Sequence, residues 1–104
     1  MTILRYYLMT ASEGRGPELC SALTHLSGLV APLDGCEKVE LFADPKDANA
    51  YVFIEHWASV DAHKAAGAAL GKSALEPIIA VLARPPEGRY LAPIPAFGPV
   101  TTSV

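Results

Sequence analysis

The sequence has few charged residues, and they form no cluster. Only 18% of the 104 residues are charged, whereas 51% are hydrophobic, and the eight Lys and Arg residues lie singly along a chain of net charge −3. Proteins that bind nucleic acids usually gather Lys and Arg into a basic patch that neutralises phosphates. The charge pattern therefore argues against a nucleic-acid partner.

Long apolar runs are also missing. No run approaches the 18 or more residues that a membrane-crossing helix needs. The first ten residues lack the basic leader and the small-residue cleavage site that a secretory signal carries. We therefore expect a cytoplasmic protein with no membrane partner.

Cysteine is scarce, with Cys20 and Cys36 as its two occurrences. They do not form a CxxC pair, and nothing in the sequence indicates a secreted protein, so reduced thiols are expected rather than a disulfide. Neither has a cluster of cationic neighbours that would activate a thiol. We interpret both as small, buried apolar side chains.

The short motifs of nucleotide, zinc and acyl-enzyme chemistry are absent as well. The sequence contains no Gly-rich dinucleotide loop, phosphate loop, HExxH or GxSxG, and no Cys or His pair at metal-ligand spacing. We therefore predict no cofactor and no metal. Any catalysis would depend on the side chains alone.

The residues that are present predict alternating strands and helices. Residues 2–10 predict a first strand, rich in β-branched and aromatic side chains. A first helix follows, from Pro17 to Pro32, because apolar residues recur at helical spacing within it. These residues are Leu19, Leu23, Leu26 and Val30.

The second half of the chain predicts a hairpin, a helix and a last strand. Residues 36–43 and 49–57 predict antiparallel strands joined by a turn at residues 44–47. Ser59 predicts the start of a second helix, which Gly71 ends. A further helical piece is predicted from apolar residues at i, i+3, i+4 and i+7, and residues 89–92 predict the last strand. The residues of that piece are Leu75, Ile78, Ile79 and Leu82.

This order predicts an α+β fold of the ferredoxin-like β-α-β-β-α-β kind, with a four-stranded antiparallel sheet and helices on one face. We expect one domain over residues 1–92 and an extended tail over residues 93–104, in which Phe97 reaches a partner subunit. The other face of the sheet would be bare. With so few charges, burial of that face against a second copy predicts a homodimer.

Chemistry is most strongly indicated in residues 49–57, where the strand period of two places alternate side chains on one face. These are Asn49, Tyr51, Phe53, Glu55 and Trp57. A carboxylate among aromatic side chains is typical of a functional site. Two structural roles remain open: Glu55 could bond the amides at a helix start, and Trp57 could simply fill the core.

Two histidines follow from the same strand. His63 lies one turn into the second helix, where it could lean over the pocket and act as a base. A lone histidine on such a helix is more often a surface or partner-contacting residue, and that alternative remains open. His56 points to the opposite face, toward the expected dimer interface, and we interpret it as structural.

The chain resembles the antibiotic biosynthesis monooxygenase family, of which the quinol monooxygenases are a branch. The resemblance covers nearly the whole chain and is carried by short pieces in a fixed order. They are Asp34-Gly35-Cys36, Asp44, Asn49, Tyr51, Glu55-x-Trp57-x-Ser59, Ala62-His63 and Arg89-Tyr90.

This resemblance implies a dimeric α+β barrel that oxidises a quinol, phenol or anthrone with molecular oxygen and without a cofactor. Asn49 and Trp57 would orient the substrate, Glu55 would set the local polarity, and His63 would be the base. Tyr51 and Phe53 would line the substrate pocket. Two alternatives remain: a binding module for a hydrophobic metabolite, and an isomerase or lyase that uses Glu55 and His63.

Overall fold

The computed structural model describes residues 2–94, and these form a four-stranded antiparallel sheet with helices on one face. The strands are β1 (Ile3–Thr10), β2 (Cys36–Asp44), β3 (Asp47–Trp57) and β4 (Glu87–Leu91). The helices are α1 (Gly16–Val30), α2 (Val60–Leu70) and α3 (Glu76–Ile79), the last preceded by a 3₁₀ turn at Lys72–Leu75. The sheet order is β2-β3-β1-β4, which confirms the predicted fold.

The apolar stripe of α1 forms the centre of the core. Leu19, Leu23, Leu26 and Val30 are all buried, as their spacing predicts. They pack above the sheet with Phe53 and Trp57, which are also fully enclosed. Burial of a large apolar side chain contributes about 1.5–3 kcal/mol to folding, so this cluster is a main source of stability.

α2 begins and ends where its sequence predicts. The Ser59 hydroxyl accepts a hydrogen bond from the Ala62 amide at 3.0 Å and caps the first turn. Gly71 follows the last turn with a φ of 83°. At its start, α2 packs closely on Gly35, where an added Cβ would lie 2.6 Å from the Ala62 Cβ. This close contact fixes α2, and therefore His63, against the sheet.

The helical piece after Gly71 is shorter than predicted. A 3₁₀ turn and a single α-helical turn replace the expected helix, which would have extended to Leu82. Only Ile78 of the expected apolar stripe is buried, whereas Leu75 and Ile79 are exposed. The apolar spacing was sufficient for one turn, but Leu82 instead forms a β-bridge with Ala11. Backbone pairing with residues at and just after the end of β1 thus replaces further helix formation.

The opposite face of the sheet has no covering element among residues 2–94. Leu4, Tyr6, Val52 and Ile54 lie on it half-buried, and Phe42 and Leu91 on its outer strands are 48% and 41% exposed. We call this surface the open face. His56 also lies there, as predicted, with Nε2 at 2.7 Å from Glu40 Oε1.

Some details of the sequence predictions differ from the structure or lie outside it. The last strand begins two residues earlier than expected, at Glu87. Cys20 and Cys36 are free thiols, and both are half-buried rather than fully enclosed. The expected tail lies outside the described residues from position 95 onward, so its packing through Phe97 stays a prediction. No helix within residues 2–94 is long and apolar enough to cross a membrane.

Candidate active site

A cavity of about 140 Å³ lies between the sheet, the end of α1, α2 and the segment that follows α2. Three alternate residues of β3 form part of its wall: Phe53, Glu55 and Trp57, with 0%, 5% and 1% of their surface exposed. Most of the remaining wall is apolar, including Leu26, Val30, Leu70 and Ile78. A cavity of about 150 Å³ is large enough to hold a benzene molecule. The space therefore suits one aromatic ring.

Glu55 is the only fully buried charged residue in residues 2–94. Its Oε1 accepts a hydrogen bond from the indole N–H of Trp57 at 2.9 Å, because both side chains project from the same face of β3. Burial raises the pKa of Glu55, while the Trp57 hydrogen bond and the charge of Arg5 oppose that shift. A protonated carboxyl is thus favoured here more than in water.

His63 stands over the sheet from the first turn of α2, and both of its ring nitrogens have partners. Nε2 lies 3.2 Å from the hydroxyl of Tyr7, and Nδ1 lies 2.8 Å from the hydroxyl of Tyr90. Nε2 is also 3.7 Å from Glu55 Oε1, and the ring lies 5.6 Å from that of Trp57. His63 is therefore held in one orientation at the cavity wall.

The surroundings of His63 favour its neutral form. Burial lowers the pKa of His63, and the charges of Arg5 and Lys64 lower it further. A neutral imidazole has one N–H and one nitrogen lone pair, and each ring nitrogen of His63 faces a tyrosine hydroxyl, so His63 can accept a proton through one of them. It is the best-placed base at the cavity.

Arg5 contacts both tyrosines that face His63. Its guanidinium lies 4.4 Å from the ring centre of Tyr90 and 4.9 Å from that of Tyr7. Such stacking contributes about 0.5–2 kcal/mol. Arg5 Nε is buried and has no hydrogen-bond partner within residues 2–94. Gly88 leaves the space for this arrangement, since an added Cβ would lie 2.7 Å from Arg5 Nη2.

The strand register explains why these residues meet. Arg5 lies opposite Glu55 on one side and opposite Tyr90 on the other, and Tyr7 lies in the same way between Phe53 and Gly88. Residues that are directly opposite in adjacent strands project from the same face of the sheet. Three strands therefore contribute side chains to one site.

The structure brings together four of the six site residues that the sequence predicts. Phe53, Glu55, Trp57 and His63 all line the cavity. Tyr51 does not, and it packs beside α1, near Cys20.

Asn49 lies farther away, at the start of β3. Its backbone carbonyl accepts a hydrogen bond from the Ala11 amide. Phe53, the nearest residue of β3 in the cavity wall, is four positions away, about 13 Å at the usual rise. Asn49 is therefore not positioned to contact a ligand in this cavity.

Tyr7, Arg5 and Tyr90 belong to the site but were not among the predicted site residues. In the sequence they look like ordinary strand residues, because nothing local distinguishes them from Tyr6 or Arg89. Their alternation in β1 is visible, but the pairing register that brings them to Glu55 is not. As for metal ligands, residues 2–94 contain no group of three or more His, Cys, Asp and Glu side chains placed to hold an ion.

The fold and the cavity define a small ferredoxin-like α+β protein with a carboxyl and an imidazole side chain at an apolar pocket. The model of the antibiotic biosynthesis monooxygenase family matches residues 2–69, and the chain belongs to that family. No curated protein matches the chain.

Several solved structures share the fold. A Bordetella bronchiseptica protein described as an antibiotic biosynthesis monooxygenase is 18% identical, with a TM-score of 0.78 over 89% of this chain and 97% of its own. A Chloroflexus aurantiacus protein described in the same way is 23% identical, with a TM-score of 0.75 over 90% and 94%. SnoaB, a cofactor-independent oxygenase from Streptomyces nogalater, is 18% identical, with a TM-score of 0.76 over 89% and 93%. At these identities the likeness shows the fold.

Proposed function

We propose that this protein is a cofactor-independent monooxygenase that oxidises a hydroxylated aromatic compound with molecular oxygen. The observation that carries the proposal is His63, with hydrogen-bond partners at both ring nitrogens and a lowered pKa, at the wall of an apolar cavity that fits one aromatic ring. Membership of the monooxygenase family and the shared fold with SnoaB, an oxygenase of this type, support it further.

The chemistry needs only deprotonation, orientation and exclusion of water. Removal of a proton from the aromatic hydroxyl gives an electron-rich anion that can reduce oxygen directly. For a hydroquinone, a ring carbon then forms a bond to O₂ and the distal oxygen takes up a proton. Loss of the hydrogen on that carbon and cleavage of the O–O bond release water. The balanced reaction converts one hydroquinone and one O₂ into one hydroxyquinone and one water.

Each residue has a role that its position supports. His63 receives the proton, and Trp57 and Phe53 hold the ring of the substrate by apolar contact. Glu55 keeps the Trp57 indole in place through their hydrogen bond and sets the local polarity. The resemblance implies that Asn49 orients the substrate, but its place at the far end of β3 does not support that role, and the proposal leaves it out.

An isomerase or lyase is the second candidate, and one distance favours it. His63 Nε2 and Glu55 Oε1 are 3.7 Å apart at the same cavity, where burial lowers the pKa of His63 and raises the pKa of Glu55. Such a pair could move a proton between two carbon atoms of one substrate without oxygen. Turnover of a candidate substrate under nitrogen would favour this function over the oxygenase.

We also propose that the protein works as a cytoplasmic homodimer that is joined through the open face. The half-buried Tyr6 and Ile54 and the exposed Phe42 give this face an apolar character that suits a second copy. The free Cys20 and Cys36 are compatible with a reducing compartment.

Light scattering after size exclusion tests the dimer. We expect Phe42→Glu to yield a monomer and Leu29→Glu, at an exposed apolar position on α1, to leave the dimer intact. A wild-type protein that runs as a monomer would contradict the dimer.

Oxygen consumption by the EDTA-treated protein tests the function. We would supply hydroquinones, naphthoquinols and anthrones, subtract autoxidation, and compare wild type with His63→Ala. His25→Ala is the matched control, because His25 is an exposed histidine on α1 far from the cavity. Uptake that requires His63 but not His25 is the expected result. Tight binding without turnover would instead indicate a binding module.

A further inference from the structure

We propose that Tyr7, His63 and Tyr90 form a proton path from the cavity to solvent, in which Tyr7 contacts the substrate hydroxyl and Tyr90 exchanges the proton with water. The path rests on the proposed function, because it supplies the route by which the oxygenase releases and regains a proton. It assigns roles to two tyrosines on β1 and β4.

The positions of the three side chains support a path in this order. Tyr7 lines the cavity and is half-buried, whereas Tyr90 does not line the cavity and is 37% exposed. His63 lies between them, with Nε2 at 3.2 Å from the Tyr7 hydroxyl and Nδ1 at 2.8 Å from the Tyr90 hydroxyl. Hydrogen-bonding distances thus connect the cavity to the surface.

The proton balance closes without a net change in the protein. The substrate hydroxyl gives its proton to the Tyr7 oxygen while the Tyr7 proton passes to His63 Nε2. The proton on His63 Nδ1 passes to the Tyr90 oxygen, and the Tyr90 proton passes to water. One proton leaves, both tyrosines stay neutral, and His63 exchanges one tautomer for the other. When the reduced oxygen later takes up a proton, the same steps in reverse restore the first tautomer.

Burial and two neighbouring cations make it unfavourable for His63 to hold two protons. Arg5 lies against both tyrosine rings, and its charge and that of Lys64 lower the pKa of His63, after burial as the main cause. A doubly protonated His63 is therefore disfavoured, so a proton that enters at Nε2 is best released at Nδ1. Tyr90 is the group at that nitrogen.

Removal of single hydroxyls tests the path. We would compare Tyr90→Phe and Tyr7→Phe with Tyr6→Phe, a neighbouring β1 tyrosine on the open face. Because a positioned acid or base contributes about 10²–10⁴-fold to a rate, we expect kcat to fall at least tenfold in Tyr90→Phe and more in Tyr7→Phe. KM should change little in Tyr90→Phe, and Tyr6→Phe should match wild type.

Two further measurements separate a proton path from a structural role. The solvent deuterium isotope effect on kcat should arise from several transferred protons in wild type and from fewer in Tyr90→Phe. Its dependence on the D₂O fraction of the solvent gives this number. In ¹⁵N NMR spectra, the Nδ1 resonance of His63 should shift in Tyr90→Phe even without substrate. If Tyr90→Phe keeps the wild-type kcat and isotope effect, the path is wrong while the oxygenase stands. If wild type consumes no oxygen with any compound, the proposed function fails and the path fails with it.

Discussion

Glu55 Oε1 is shared by two partners, since it accepts the Trp57 N–H at 2.9 Å and lies 3.7 Å from His63 Nε2. One carboxyl oxygen therefore connects a residue that would hold the substrate to the residue that would deprotonate it. Because this carboxyl is buried, its protonation state affects both the stability of the fold and the polarity of the cavity.

The first prediction concerns Glu55→Gln and the pH dependence of stability. Burial raises the pKa of Glu55 above its ordinary value of 4.5, so the native state binds more protons than the unfolded state above that pH. This group stabilises the wild type at low pH, and that contribution is lost as pH rises through the raised pKa. The Gln variant should lose no such contribution.

Urea unfolding from pH 4 to pH 8 measures this difference. The free energy of unfolding of Glu55→Gln minus that of wild type should increase as pH rises, by at most about 1.4 kcal/mol per pH unit. Parallel stability curves for the two proteins would show that Glu55 titrates as it does in water.

The second prediction concerns the acid limb of activity. The pKa of His63 is lowered by burial and then by Arg5 and Lys64, from an ordinary value of 6.5. The neutral, competent form therefore predominates at pH 7, and it is lost as pH falls below 6.5 toward the lowered pKa. The rate of oxygen uptake should follow this loss.

A charge variant tests whether the acid limb reports the pKa of His63. Lys64→Gln removes one of the charges that lower the pKa of His63, so the limb should move to higher pH. Lys46→Gln, in the exposed turn between β2 and β3, is the matched control and should leave it in place. An acid limb above pH 6.5 in wild type would contradict the neutral His63.

The third prediction compares two Gly→Ala substitutions. At Gly88 an added Cβ would lie 2.7 Å from Arg5 Nη2 and 3.1 Å from the Tyr7 ring, so Gly88→Ala should displace both side chains. At Gly28, within α1, an added Cβ meets nothing within 4 Å. Gly28→Ala should stabilise the protein by about 0.5–1 kcal/mol, since Ala suits a helix better than Gly.

Thermal unfolding and oxygen uptake together check this pair. Gly88→Ala should cost about 1–3 kcal/mol and reduce kcat, because overpacking shifts the neighbours of His63. Gly28→Ala should keep the wild-type rate. Equal activity in the two variants would show that the placement of Arg5 and Tyr7 does not matter for turnover.

The fourth prediction concerns substrate size. With a cavity of about 140 Å³, single-ring hydroquinones should have higher kcat/KM values than three-ring anthrones. Ala66→Leu adds three carbon atoms to the cavity wall and should lower kcat/KM for all of them. Ala68→Leu, on the exposed side of α2, is the control. A preference for anthrones would mean that the cavity opens well beyond its present volume.

Local patterns in the sequence were enough to predict most of the fold. The spacing of Leu19, Leu23 and Leu26 predicts the buried side of α1, and Ser59 predicts the start of α2. The alternation in β3 predicts that Phe53, Glu55 and Trp57 share a face. Each of these features depends on neighbours a few residues away, and so it can be recognised in the sequence.

The rest of the site depends on contacts that are distant in the sequence. Tyr90 reaches His63 only because β4 pairs with β1 in a register that sets it beside Arg5. The alternation along β3 that predicted Glu55 as a site residue also predicted Asn49. Alternation shows which face of the strand a side chain is on, but not how far the cavity extends along the strand. Position along the strand is set by where α2 and α3 lie, which is a property of the whole fold.

The polar and aromatic residues of the candidate site lie in one part of the sequence and its proposed outlet in another. The family match over residues 2–69 includes Tyr7, Glu55, Trp57 and His63, whereas Tyr90 on β4 lies beyond it. Mutation in the last strand can therefore change what faces His63 Nδ1 without altering the cavity wall on β3. On the proposed path, a change in the last strand would alter the route of proton exchange while Glu55, Trp57 and His63 stay the same.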